Sequence, residues 1–193
     1  PQCRDKRKNK QDKSLSVDLD TGLYYCHYCE WKGCATASPQ PTPKEREQEY
    51  DRAETPLPTE FIKWFEQDRA IPAGILAAMR ITGAYEYMPQ TSKKEWTMCF
   101  RYFENGRHVN TKFRDLNKNF KMISGAELIP YNIDAIRDTP TCNIVEGEMD
   151  VLACMTAGLK NTISVPSGAN RNLAWLDRFV ESHFENKQVI YIA

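Results

Sequence analysis

At 193 residues, with 41% hydrophobic and 27% charged side chains, the chain is long enough for one domain with a real core plus a small appendage, and its composition excludes a wholly disordered protein. Lysine plus arginine equals aspartate plus glutamate at 26 each, which excludes a basic field over the whole molecule and leaves any nucleic-acid contact to local patches. No apolar run approaches membrane-spanning length and no signal peptide is visible, so no membrane partner is expected.

The N-terminal stretch carries four of the seven cysteines before residue 35, which suits a metal site in a reducing cytoplasm better than a disulfide framework. Residues 1–14 also hold the first basic patch, Arg4, Lys6, Arg7, Lys8, Lys10 and Lys13 against Asp5 and Asp12. Ser14 to Leu19 alternates apolar with polar and predicts a strand, and Leu23 to Cys26 predicts another after the turn Asp20-Thr21-Gly22. Cys26-His27-Tyr28-Cys29 is a C-x2-C pair; zinc takes four thiolate or imidazole ligands, and this spacing lets one turn supply two. Cys3 is the natural third ligand. Pro1-Gln2-Cys3 looks like the tail of a Cys-Pro-x-Cys knuckle whose first cysteine lies one residue upstream; Cys34 is a substitute, and His27, between two ligands on a tight turn, is a poor one. Tyr24, Tyr25, Tyr28 and Trp31 near basic residues offer faces for unpaired bases, although so small a module must also use some of them as core.

Residues 36–58 change character: Pro39, Pro41, Pro43, Pro56 and Pro58 bracket the charged run Lys44 to Glu54, which reads as a linker with a short helix in its middle. Thr59 is the expected N-cap of a helix buried through Phe61, Ile62 and Phe65, and a second helix should start near Pro72 and run through Ile75, Leu76 and Met79. The period then changes to two over Glu95 to Phe103, and Glu104-Asn105-Gly106-Arg107 is a hairpin turn. The returning strand sets Val109, Thr111 and Phe113 on one face and Asn110, Lys112 and Arg114 on the other. Lys118 and Lys121 follow, so residues 107–121 form a second basic patch, which suits either a solvated strand edge or a phosphate-binding surface.

Asn143 to Asp150 runs an apolar strand into an acidic, glycine-containing turn; Met149, Leu152, Ala153 and Thr156 then fall at helical spacing, with Gly158 as the stop. A strand at Thr162 to Val165, a loop at Pro166 to Asn170, a helix carrying Leu173, Leu176, Phe179 and Val180, and a strand at Val189 to Ala193 complete the chain. Strands alternating with helices predict a parallel sheet, which places ligands beyond the carboxyl ends of its strands, where Glu146 and the loop of Gly168 and Asn170 stand. Glu146 with Asp150 one turn later is a hard-oxygen pair suited to Mg²⁺; the same carboxylates would also suit a helix N-terminus. Cys142 and Cys154 read as core.

Three stretches resemble one family. Val145-Glu146-Gly147-Glu148-Met149-Asp150-Val151 resembles the first acidic motif of the Toprim fold, shared by primases, topoisomerases and some nucleases. Ser14-Leu15-Ser16-Val17 through Cys26-His27-Tyr28-Cys29-Glu30-Trp31-Lys32-Gly33 resembles the zinc ribbon that opens bacterial and phage DNA primases. Thr111 to Lys121 is similar to the basic motif that phage primase-helicases and the bacterial primase carry before their Toprim motif. The resemblance implies an α+β/α/β chain: a zinc ribbon over residues 1–37, a linker over 38–58, a basic α+β subdomain over 59–139 and a truncated Toprim βαβ subdomain over 140–193. It further implies template-directed joining of ribonucleoside triphosphates on single-stranded DNA, with a replicative helicase fused or associated, in the cytoplasm of a bacterium or phage-infected cell. On this reading Glu146, Asp150, Lys112 and Lys118 are catalytic, Glu146 and Asp150 holding Mg²⁺ or Mn²⁺. Arg114, Lys121, Gly168 and Asn170 contact nucleotide or template, and Cys3, Cys26 and Cys29 hold structural zinc. The family's second motif, Asp-x-Asp, follows the strand matching Val189 to Ala193, so the chain as it stands is expected not to make primers. A Toprim nuclease or topoisomerase, and a non-catalytic single-stranded DNA-binding module, are the alternatives.

Overall fold

The computed structural model describes residues 3, 14–18, 22–34, 55–166, 168 and 174–193, which divide into two units lying within residues 1–40 and 41–193. The basic run Arg4 to Lys13, the body of the proline-bracketed linker, and Asn170 and Leu173 lie outside the described residues.

In the first unit β1 (Leu15–Val17), β2 (Leu23–Cys26) and β3 (Lys32–Cys34) form an antiparallel sheet in that order. Gly22, at φ +70, brings the chain into β2, where Asp18 donates its amide to the Leu23 carbonyl at 2.8 Å. Tyr24 lies across Gly33, its cross-strand partner, where a Cβ would collide with the ring, and Trp31 packs 4.4 Å from the same ring. Three short strands cover one face at most, which leaves Leu15, Val17, Leu23 and Tyr25 exposed.

The second unit opens with α1 (Thr59–Arg69). Thr59 is its first helical residue and not its cap: Pro58, held at φ −57 by its ring, is the N-cap, and its carbonyl accepts from Phe61 at 3.0 Å. Phe61 and Phe65, one turn apart, are buried, whereas Ile62 is half-buried. Ala70 takes the left-handed conformation, and Pro72 caps α2 (Ala73–Ala78). A four-stranded antiparallel meander follows: β4 (Thr82–Met88), β5 (Lys93–Glu104), β6 (Arg107–Arg114) and β7 (Phe120–Met122). Asn105 and Gly106, at φ +54 and +74, turn β5 into β6 as a two-residue hairpin requires. One face of this sheet sets Met98, Phe100 and Tyr102 against Phe61, Phe65, Leu76, Ile129 and Tyr131; the other packs Ala84, Cys99, Phe113 and Ile123. The middle of β5 is therefore buried on both sides.

The last layer is a parallel sheet in the order β10-β8-β9, with β8 (Thr141–Val145) central between β9 (Thr162–Ser164) and β10 (Val189–Ile192). α3 (Glu148–Thr156) buries Glu148, Val151 and Leu152. The stripe is thus rotated from the sequence expectation, and Ala153 and Thr156 are exposed, because Glu148 finds a partner in the core. Gly158, at φ +86, ends the helix in a Schellman turn, with Leu159 N–H to Cys154 O at 2.9 Å and Gly158 N–H to Met155 O at 3.1 Å. α4 (Ala174–Phe179) continues into a π-helical turn, Val180–Phe184. The wider turn swings Val180 out to 40% exposure and carries His183 and Phe184 inward, which a 3.6-residue period does not anticipate. β10 is an edge strand with all four residues exposed. Among the described residues no helix is long and apolar enough to cross a membrane.

Candidate active site and metal centre

β8 delivers Glu146 at the carboxyl end of the central parallel strand, and the chain turns at Gly147 into α3. Asp150 reaches back to accept the Gly147 amide at 3.0 Å, so it anchors the helix start as well as facing solvent. Gly168, at φ +76, lies close enough that a Cβ on it would stand 3.9 Å from Glu146 Oε1, and a larger residue would crowd that carboxylate. The opposite wall comes from β6, β7 and the turn between them, with Lys112, Lys118, Phe120, Lys121 and Met122. Together with Glu146, Gly147, Asp150 and Gly168 they enclose a cleft of about 510 Å³. Carboxylates at a strand end therefore face lysines across one cavity.

The lysines are not equivalent. Lys118 is exposed at φ +67 in a turn built by buried Asp115, whose carboxylate accepts the Asn119 amide at 2.9 Å and the Asn119 side chain at 2.8 Å. Lys121 lines the cleft, but its ammonium donates to Glu86 at 2.9 Å and lies over the Phe113 ring. Lys112 is buried at 9% exposure and donates to both oxygens of Glu148 at 2.9 Å, under the ring of Phe120. The Tyr102 hydroxyl donates to the same carboxylate, and burial together with the Glu148 charge pushes the Tyr102 phenol well up. The residue Asp115 and the pair Tyr102 and Glu148 were not among the site residues expected from sequence. Glu148 stands inside the acidic motif, but motif spacing gives no sign of which of its three acids points inward.

Arg114 corrects the expectation of an open cationic strand face. It is buried at 8% exposure and does not line the cleft; its guanidinium lies 5.4 Å over the Trp64 ring, with Arg69 4.9 Å over the same ring. Burial and the Arg69 charge lower its pKa. Asn170 lies outside the described residues.

In the first unit Cys3, Cys26 and Cys29 bring their sulfurs within 4.8 Å of one another. The Cys3 and Cys26 sulfurs are 3.7 Å apart. Four sulfurs about 2.3 Å from a zinc ion lie about 3.8 Å apart along a tetrahedral edge, so the spacing fits zinc. Burial raises the Cys26 thiol, but the backbone N–H groups of Cys29 and Tyr28 and the neighbouring thiols bring it down to about 7, toward the thiolate that a metal binds. Cys34 is outside the cluster, on β3, and His27 shares a hydrogen bond with Ser16 Oγ at 2.7 Å.

No protein-family model matches the chain. A primase homolog protein of Arabidopsis thaliana is 36% identical over 108 residues, covering 56% of this chain and 30% of that protein. The Twinkle homolog protein, chloroplastic/mitochondrial, of the same plant is 41% identical over 75 residues, 39% of this chain and 11% of its own. The matched stretches thus span less than a third of either relative. Among solved structures, the primase fragment of the bacteriophage T7 primase-helicase superposes with a TM-score of 0.53 at 18% identity, covering 93% of this chain and 73% of that one. A T7 assembly of lagging-strand DNA polymerase with primase domains bound to an RNA/DNA hybrid and dTTP gives 0.55 at 18% identity, over 93% and 72%. The fold is that of a zinc-ribbon, Toprim-type primase. This primase fold accounts for the arrangement seen here: a cysteine cluster in one unit, and in the other an antiparallel sheet bearing lysines opposite the acidic end of a parallel sheet.

Proposed function

We propose that the protein is a DNA primase, joining ribonucleoside triphosphates on a single-stranded DNA template in the cleft between β6–β7 and the end of β8. The observation that carries this reading is the placement of Glu146 and Asp150 on one wall of the cleft and Lys112, Lys118 and Lys121 on the other. Phosphoryl transfer needs cations on the phosphate oxygens and carboxylates that hold divalent metal, and little else from the protein. Glu146 and Asp150 are exposed and few, which fits an ion that keeps most of its water, and one Asp150 oxygen is already committed to the Gly147 amide. They would hold Mg²⁺ or Mn²⁺, which when bound supplies charge neutralisation on the triphosphate and acidifies the attacking hydroxyl. Lys118, exposed on a turn fixed by Asp115, would take a phosphate oxygen as a mobile cation. Lys112, fixed by Glu148, would orient a phosphate by one directed N–H. Gly168 would leave room for the nucleotide beside Glu146.

The T7 primase domains were captured on an RNA/DNA hybrid and belong to a primase-helicase, which supports template and nucleotide as substrates here and a replicative helicase as partner. The test is primer synthesis by the full-length protein from single-stranded DNA, ribonucleotides and Mg²⁺. Glu146→Gln, which keeps shape and removes a charge, should abolish product while leaving the circular dichroism unchanged. Primers made at the normal rate by that variant would return Glu146 to a helix-end decoration. Nicked DNA in place of primers would make the site that of a nuclease.

A further inference from the structure

The strand that carries Phe120 at the cleft wall is the slightest piece of the antiparallel sheet. β7 is three residues long and stands at the edge of the order β4-β5-β6-β7, paired with β6 through Arg114 with Phe120, Phe113 with Lys121 and Lys112 with Met122. So short an edge strand keeps its place only if something beyond the ladder ties it. Side chains alternate along it. Phe120 lies 4.9 Å over the Lys112 ammonium and, with Met122, borders the cleft, whereas Lys121 turns to the opposite face and sets its ammonium 5.3 Å from the centre of the buried Phe113 ring. The Lys121 ammonium is therefore across the sheet from the face on which Lys112 meets Glu148.

On that face Lys121 meets the other edge of the sheet. Its ammonium donates to Glu86 of β4 at 2.9 Å, the two side chains being 26% and 28% exposed. From the turn between β4 and β5 the Gln90 side chain donates to the Phe120 carbonyl at 2.8 Å, a second tie between the same edges. Three strand intervals of about 4.8 Å would separate these edges in a flat sheet, so the contacts depend on the meander curling over Ala84, Cys99, Phe113 and Ile123. Glu86 also has Glu95 as its cross-strand partner, and two acids directly opposite repel, so Lys121 supplies the counter-charge that lets Glu86 stay there. A phosphate that drew this ammonium away would leave the two acids facing each other without it.

We propose that Glu86 and Gln90 are positioning residues for the cleft: with Lys121 as the strut they clamp β7 to β4 and so hold Phe120 over Lys112, and Lys121 serves this clamp and not a phosphate. The clamp rests on the reading of the cleft as the site of primer synthesis and adds what keeps its lysine wall in place. Exchanging the two charges in the full-length protein tests it. Glu86→Lys or Lys121→Glu alone sets like charges together, and each should speed amide hydrogen exchange at Phe120 to Met122 roughly tenfold and lower kcat for primer synthesis by roughly tenfold, with KM for the nucleotide changed less. The double exchange should return both quantities to within about threefold of the wild type. Where a single reversal unfolds the chain, the milder Glu86→Gln and Lys121→Gln take its place, and each should speed the same exchange by roughly threefold. In fluorescence anisotropy with an oligothymidylate, Lys121→Gln should leave the slope of log affinity against log salt unchanged, whereas loss of a phosphate ligand would flatten it by roughly one. A double exchange as impaired as Lys121→Glu, with a flattened slope in Lys121→Gln, overturns the clamp and gives Lys121 to the phosphates. Exchange at β7 that no variant alters overturns it too. Exchange that rises in the single variants and recovers in the double, in a protein whose wild type makes no primers, upholds the clamp and removes the reading of the cleft alone.

Discussion

Replacing Glu148 with alanine is the sharpest test of how the cleft is built. The Glu148 side chain is 7% exposed and the side chain of Lys112 11%, so the pair is well inside the protein, and Lys112 donates to both carboxylate oxygens at 2.9 Å. Truncation strands a buried ammonium and leaves the Tyr102 hydroxyl without its acceptor. Breaking a buried pair from one side costs about 3–5 kcal/mol, because the remaining charge loses its compensation. For a unit of this size each kcal/mol moves Tm by roughly 2–4 °C, so Glu148→Ala should lower it by about 6–20 °C. Removing both charges with similar-sized apolar groups, Lys112→Met with Glu148→Leu, should recover most of the loss, since the desolvation of two ions disappears with them. Urea denaturation of the wild type, Lys112→Met, Glu148→Leu and the double variant gives the coupling energy directly. A cost below about 1 kcal/mol for Glu148→Ala, with no recovery in the double variant, would show that the pair is solvent-screened and that Lys112 is not held as described.

Zinc in the first unit predicts one metal per chain by elemental analysis, and a chelator should collapse the near-ultraviolet dichroism of the Tyr24–Trp31 pair; a metal-free protein with an intact signal would refute it. Lys118→Ala should weaken oligonucleotide binding and reduce the slope of log affinity against log salt by roughly one, with the fold intact, because Lys118 is exposed and free of any described carboxylate; an unchanged slope removes it from the phosphate site. His183 sets a pH limit: burial first, then the Arg137 and Lys187 charges, holds its folded-state pKa below the ordinary 6.5. The unfolded chain therefore takes up a proton that the folded one refuses, so stability is full above about pH 6.5 and falls as the solution is acidified below it. Urea midpoints at neutral and mildly acid pH should show the fall, and His183→Gln should flatten it.

What was legible from sequence follows from how local its cause is. The hairpin at Asn105 and Gly106, the stop at Gly158 and the cysteine pair at Cys26 and Cys29 depend on neighbours in the chain, and each sits where expected. β4 was not anticipated because Tyr85 and Tyr87 alternate with Ala84 and Met88, so apolar residues fall on both parities and the period of two is lost. The π-helical turn escaped for a related reason: one extra residue per turn shifts the buried set from Val180 to His183 and Phe184. Parity correctly put Lys112 and Arg114 on one face, yet it says nothing of what covers that face. α1 brings Trp64 over Arg114, and α3 brings Glu148 onto Lys112, contacts across 50 and 36 residues of chain that no local pattern encodes.

Those two contacts change the electrostatics that a basic stretch of sequence suggests. Lys112 and Lys121 each have a carboxylate at 2.9 Å, so at long range they contribute little net field, and among the described lysines of the cleft Lys118 carries the uncompensated charge. On the proposed function a triphosphate would be drawn mainly by Lys118 and oriented by Lys112, whose Glu148 clamp fixes the direction of its remaining N–H at the cleft wall. Attraction and orientation are different tasks. Attraction tolerates a flexible side chain and weakens with salt, whereas orientation needs a locked rotamer and is shielded from salt by burial. The acid that provides the lock, Glu148, lies two residues from Glu146 and two from Asp150, so five residues at the helix start carry opposite dispositions: two open carboxylates, which on the proposed function would hold a cation, and a buried one that holds a lysine.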